Sequence, residues 1–226
     1  MTGTDGPART GGGRCRWCLG PAAPGYARCY CCAVCRRVLG TPPVGVHPAR
    51  YFRPGDPVHR MLRGYKDAPV AEVRGPCRGR ATGLLARLAG PGGAALAVRV
   101  GGPWDVVATV PSSTRPGSPP VDDLVAGVPA LADRLEPLLA RGPGGLDHHV
   151  PSVDGFVCRA RRPPAAGTRV LVVDDGYTTG ARAQSAAATL RRAGYEPAGV
   201  AVVGRTVEPD ASAWARRFWE SLPSVA

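Results

Sequence analysis

Apolar and polar positions form regular patterns in only part of this chain, and the clearest lie in its C-terminal third. Arg169–Val173 carries four consecutive aliphatic residues and predicts a buried strand. Asp174–Gly180 reads as a turn, Ala181–Ala193 as a helix closed by Gly194, and Pro197–Val203 as the next strand. Strand, loop, helix and strand within about 35 residues make a βαβ unit, and hence a parallel sheet with a right-handed crossover. Upstream, Val106–Val110 is a short apolar run stopped by Pro111 and predicts another buried strand. Residues 121–140 place Leu124, Val128, Leu131, Leu135 and Leu138 at helical spacing. Short helices are expected over 58–66 and 80–90, the second ending at Gly90, and a strand over Ala95–Val100. Trp214, Phe218 and Trp219 predict the packing face of a closing helix.

Toward the N-terminus the pattern gives way to punctuation. Residues 1–13 are polar and Gly-rich and read as a disordered leader. Residues 14–39 concentrate six of the eight cysteines, 40–57 read as a linker, and 58–226 as the main domain. The 31 Gly and 25 Pro among 226 residues, about a quarter of the chain, predict long irregular connections, among them 112–120 and 141–151. A hydrophobic content of 44% is still enough for a core. No run approaches the ~18 apolar residues of a membrane span, and no leader of secretory type is evident. A cytoplasmic protein with reduced thiols is therefore expected.

The net charge of +12 is unevenly spread. Residues 28–80 hold eleven basic side chains against three acids, whereas 104–154 hold three against seven. A basic N-terminal third suits a polyanion or a phosphorylated ligand, and a solvated Arg-rich surface explains it equally well. Lysine occurs once, at Lys66. It is a further candidate for the site because a compact amine does what a guanidinium does not.

Two segments carry chemistry. In the first, a buried strand ends at Asp174 and Asp175, followed by Gly176, Tyr177, Thr178, Thr179, Gly180 and then a helix beginning at Ala181. The carboxyl edge of a parallel sheet is where such folds bind ligands. The carboxylates there can accept from sugar hydroxyls, while threonine hydroxyls and the free N–H groups of the helix start can receive a phosphate. In the second, the spacing Cys15-x2-Cys18-x10-Cys29-x-Cys31-Cys32-x2-Cys35 offers two CxxC knuckles. Cys15, Cys18, Cys32 and Cys35 are the first choice of ligands for a structural, tetrahedral Zn²⁺, and the Cys29/Cys32 pair is the competing choice. Cys77 and Cys158 read as packed thiols, and His148 and His149 as exposed loop residues.

The segment Val170–Gly180 resembles the PRPP-binding loop of type I phosphoribosyltransferases. The resemblance implies an α/β fold of that type, a parallel sheet flanked by helices, with a small N-terminal zinc-binding module. Asp174 and Asp175 would hold the ribose hydroxyls, and Thr178, Thr179 and Gly180 the 5′-phosphate. Gly176 and Tyr177 would contribute mainly backbone. It further implies a pyrophosphate loop, for which Pro111, Ser112, Ser113, Thr114 and Arg115 after the Val106–Val110 strand are the candidates, and Mg²⁺ bound with PRPP. Gly176 replaces the family's usual aliphatic residue. Arg182 replaces a small hydroxylated one and sets a guanidinium near the phosphate.

Four clustered cysteines, then Arg63-Gly-Tyr-Lys66, then Val110–Pro111 and a C-terminal PRPP loop are together similar to the ComF family of competence-associated phosphoribosyltransferase-like proteins. That family's Arg-Gly-Phe-Asn-Gln segment is replaced here by Arg115-Pro-Gly-Ser-Pro-Pro-Val-Asp-Asp-Leu124. Three functions follow as expectations: transfer of phosphoribosyl from PRPP to an unidentified base or amine, a nucleic-acid-handling role through residues 28–80, or a PRPP sensor without chemistry. Oligomeric state is left open.

Overall fold

The computed structural model describes residues 13–112, 119–145 and 147–223. The expected leader, apart from Gly13, and Ser113, Thr114 and Arg115 of the expected pyrophosphate loop lie outside them.

The first helix, α1 (Tyr30–Leu39), belongs to the cysteine-rich segment. Strand β1 (Val46–Phe52) follows within residues 40–57, which are therefore not a plain linker. Its residues hide this role because it is an edge strand: only Val46 and Phe52 are buried, and Pro48, tolerated at a sheet edge, breaks the strand signature. Helices α2 (Pro57–Asp67) and α3 (Ala71–Ala89) form the next pair. Asp56 caps α2 by accepting from the His59 N–H. The longer helix extends through Pro76, so its first half carries no usable helical signature.

Ala94–Arg99 forms a helix, α4, not a strand. Leu96 is buried while Val98 is 83% exposed, and so short an apolar run does not distinguish the two periods. Strand β2 (Val106–Thr109) lies where expected. The single helix expected over 121–140 is instead two short ones, α5 (Pro120–Ala126) and α6 (Pro129–Ala132). Pro129 forces the break by pushing Val128 into an extended conformation, φ −124° and ψ 96°. The chain then runs along β2, with Val107 N–H donating to Arg134 and Glu136 N–H to Val107. A small antiparallel ribbon, β3 (Leu139–Arg141) with β4 (Phe156–Cys158), follows.

The βαβ unit is β5 (Arg169–Tyr177), α7 (Ala181–Arg192) and β6 (Glu196–Thr206). The strand continues through Asp174, Asp175 and Gly176, so the expected turn narrows to residues 178–180. Helix α8 (Ala213–Glu220) closes the fold. Phe218 is its buried aromatic, set edge-on to Tyr51, while Trp214 stays exposed.

The main sheet is parallel throughout, in the order β1-β6-β5-β2. Successive strand residues face opposite sides. Leu171, Val173, Ala201 and Val203 face a layer built from α2 to α6. Val170, Val172, Val200 and Val202 face α7, whose Ala183, Ala186 and Ala187 are small enough to let helix and sheet close together. Cys15, Cys18 and Cys32 lie in this second layer, so the cysteine segment is part of the wall of the sheet. No single helix among the described residues is long and apolar enough to cross a membrane.

Candidate functional site

Strand β5 delivers its two acids to the carboxyl edge of the sheet, where Asp174 and Asp175 are only 6% and 7% exposed. Burial of charge needs partners. Asp175 has two, both from α2: the Tyr65 hydroxyl donates to Oδ2, and the Lys66 ammonium forms an ion pair with the same oxygen. The chain's single lysine is thus brought to the acidic pair. Asp174 accepts from the Asp175 N–H at 2.9 Å. Burial pushes its carboxyl up to about 7, with Arg182 and Lys66 opposing and Asp175 adding to the rise.

The turn after Tyr177 is tightly specified. Gly180 has φ 84° and is the N-cap of α7. A Cβ there would also run into the Tyr177 ring, so glycine is required twice over. Tyr177 is buried and accepts at its hydroxyl from Gln184 Nε2, 3.3 Å away. Gln184 in turn grips the Val44 backbone, accepting from its N–H at 2.8 Å and donating to its carbonyl at 3.0 Å. The Thr178 and Thr206 hydroxyls are 3.0 Å apart. Thr179 donates to the His148 carbonyl and accepts weakly from the Ala181 N–H at 3.3 Å. A cavity of about 290 Å³ opens over this turn, lined by Asp174, Gly176 and Thr178–Arg182. It faces the start of α7, where the first N–H groups have no partner within the helix.

A second cavity, of about 350 Å³, shares Asp174 and Arg182 with the first and adds Arg63, Lys66, Asp175 and Ser112. Arg182 donates to the Pro111 carbonyl at 2.7 Å, and its Nε is buried without a hydrogen-bond partner among the described residues. It therefore joins the first turn of α7 to the loop after β2. Pro111 and Ser112 are the described part of the expected pyrophosphate loop, and both reach the site. His148 and His149 are exposed, as their loop setting suggests, yet both line the first cavity.

The cysteine centre differs from its first-choice assignment. Cys15, Cys18, Cys29 and Cys32 bring their sulfurs within 4.8 Å of one another, and Cys18 Sγ lies 3.5 Å from Cys29 Sγ. Zinc–sulfur bonds of about 2.3 Å arranged tetrahedrally require sulfurs about 3.8 Å apart. The set fits a structural zinc ion. Cys29 is the N-cap of α1 and Cys32 lies in its first turn, so both thiolates sit at the positive end of the helix dipole. Cys35 lies one turn further on, turned toward Leu39 and Ala188, and burial pushes its thiol up to about 12. It is a packed thiol and Cys29 takes its place in the centre. The Cys15–Cys18 knuckle is shaped by Leu19 at φ 53° and by the Cys15 N–H donating to Gly20 at 2.8 Å.

Between the two sites lies Arg205 of β6, 4% exposed. Its Nε donates to the Cys18 carbonyl at 3.1 Å and its Nη2 approaches Cys18 Sγ at 3.2 Å. Its Nη1 donates to the carbonyls of Tyr177 and Thr178, at 3.1 and 2.7 Å, and the guanidinium covers the Tyr177 ring at 4.9 Å. Burial works against its charge, and the Cys18 sulfur and the Tyr177 side chain beside it outweigh that and raise its pKa.

Tyr65 and Arg205 carry no mark in the sequence. Tyr65 neighbours a singled-out lysine, and Arg205 follows the apolar run of β6, which are the only local signals either offers. No protein-family model and no curated protein matches this chain.

Proposed function

We propose that the chain is a phosphoribosyltransferase-like protein of ComF type that binds PRPP, with Mg²⁺, at the end of β5. One observation carries this reading: Asp174, the Thr178–Gly180 turn and the N-terminus of α7 line one cavity, and Asp175 lines the second cavity that meets it at Asp174. A ribose 5-phosphate needs that combination, acceptors for its hydroxyls beside donors for its phosphate. In this reading Asp174 and Asp175 take the 2′- and 3′-hydroxyls. The N–H groups and hydroxyls of Thr178–Ala181 take the phosphate. Lys66, held on Asp175, and Arg182 face the second cavity, where they would neutralise a departing diphosphate. Asp174 and Asp175 are hard oxygen donors of the kind Mg²⁺ selects, and the chemistry Mg²⁺ supplies when bound is charge neutralisation on the diphosphate. The remaining space of the second cavity would admit the acceptor base or amine.

The test is calorimetric titration of PRPP and Mg²⁺ into folded, zinc-loaded protein. Binding that Asp174→Ala with Asp175→Ala abolishes supports the assignment, and unchanged binding in that variant sinks it. Pyrophosphate release over a panel of bases and amines then separates an enzyme from a sensor that keeps the site without turnover.

A second reading, contact with nucleic acid, is favoured by a surface recess of about 420 Å³ lined by Arg28, Arg36 and Arg37 beside the cysteine centre. Phosphate contacts there would make affinity for single-stranded DNA fall steeply with salt. A flat salt response rejects it.

A further inference from the structure

We infer that Arg205 is a positioning residue through which the four-cysteine centre sets the conformation of the Tyr177–Gly180 turn. Residues 18 and 205 are 187 positions apart, and residues 205 and 177 are 28 apart, yet one buried guanidinium touches both. Arginine is suited to this because its planar fork presents several donors at fixed angles. Here one edge holds the Cys18 carbonyl and sulfur, and the other end holds the two carbonyls of the turn.

The grip on those carbonyls has a directional consequence. In a trans peptide the carbonyl and the following N–H point in opposite directions. Fixing the Tyr177 and Thr178 carbonyls toward Arg205 therefore aims the N–H groups of Thr178 and Thr179 away from it. Both residues line the 290 Å³ cavity and Arg205 does not. The guanidinium is thus a backstop that orients donors it never shares with a ligand.

The sulfur end explains why the cysteine centre matters to this grip. A thiolate and a backbone carbonyl held in place by a metal centre give the guanidinium a rigid anion-rich seat. Gly20 is part of the seat: a Cβ there would collide with the Arg205 guanidinium, so no other residue leaves it room. When the centre loosens, Cys18 and Gly20 move with it and the seat is lost. The turn then retains its links to Gln184, Thr206 and His148, but loses the guanidinium's hold on its carbonyls.

The coupling itself does not depend on what the turn binds; its consequence for ligand affinity rests on the reading of the turn as a phosphate site. Hydrogen exchange read peptide by peptide on the full chain tests the first part. Removing zinc from the wild type should speed exchange across 177–183 about fivefold or more. In Arg205→Met the same amides should exchange fast with or without zinc. Gly20→Ala keeps the arginine and displaces only its guanidinium, so it should also uncouple the turn, and it decides the matter should Arg205→Met fail to fold. A wild-type turn indifferent to zinc, or variants whose turn responds as the wild type does, overturns the inference. The second part follows by reciprocity. Ribose 5-phosphate should slow zinc transfer to a chromophoric chelator about fivefold in the wild type, and not in Gly20→Ala. If ribose 5-phosphate fails to bind the wild type, the phosphate reading falls while the exchange result still decides the coupling.

Discussion

The protein has two polar centres built on opposite strategies. The cysteine centre is local and closed: four sulfurs from an 18-residue stretch, Cys15–Cys32, point inward at one another. The acidic centre is dispersed and open: Asp175 is satisfied by Tyr65 and Lys66 from another helix, and two cavities meet at Asp174. A closed set of soft ligands suits a structural ion that stays in place. An open set of hard oxygens beside a helix N-terminus suits a ligand that comes and goes. Arg205 is the buried cation that the two share.

The largest expected effect lies in the closed centre, in the identity of its fourth ligand. Cys29→Ser should lose nearly all bound zinc, because zinc binding in so small a segment supplies on the order of 10 kcal/mol of folding free energy. Cys35→Ser should retain one zinc per chain, since that thiol packs against α7. Mass spectrometry under non-denaturing conditions reads both. Zinc kept in the first variant and lost from the second would restore the Cys32/Cys35 knuckle.

Legibility follows the same division. The βαβ unit could be read because each part states itself locally: four aliphatic residues, two acids, Thr-Thr-Gly and an alanine-rich helix. The cysteine spacing exposed the metal centre for the same reason. It favoured Cys35 where the structure brings in Cys29, because that choice depends on where α1 begins. Strand β1 was hidden by its place at the sheet edge, where half-buried Arg50 and Pro48 replace an apolar run. Tyr65 and Asp175 are 110 residues apart, and no pattern within one segment could pair them.

The open centre is sharpened by removing its cation. Lys66→Met leaves Asp175 buried with the Tyr65 hydroxyl as its side-chain partner among the described residues. It should destabilise the fold by about 1–3 kcal/mol, less than a fully buried pair because the lysine side chain is 26% exposed. Adding Asp175→Asn should recover part of the loss, and a double-mutant cycle by urea denaturation measures the coupling. Strictly additive losses would mean that the ion pair contributes nothing. Gly180→Ala should cost about 2 kcal/mol through its positive φ and its collision with Tyr177. An Ala variant as stable as the wild type would show that the turn is not under this constraint.

The smallest expected effect concerns the proton on Asp174. Asp174 binds its proton more tightly in the folded chain, at about 7, than its ordinary value of 3.8. Between those values the folded state holds a proton that the unfolded chain has released. Stability contributed by this group is therefore fully present below about 4 and is lost as pH rises through about 7. Asp122, raised by burial against its bond from Thr109, pulls in the same direction, so the wild-type curve alone does not isolate Asp174. The difference between the wild type and Asp174→Asn does. The variant keeps an acceptor for the Asp175 N–H but has no proton to lose. From pH 5 to 8 the wild type should drop a few degrees further in Tm than the variant. Parallel curves would mean that Asp174 ionises normally, with Arg182 and Lys66 already outweighing its burial. Asp174 would then already be a carboxylate before any ligand arrives.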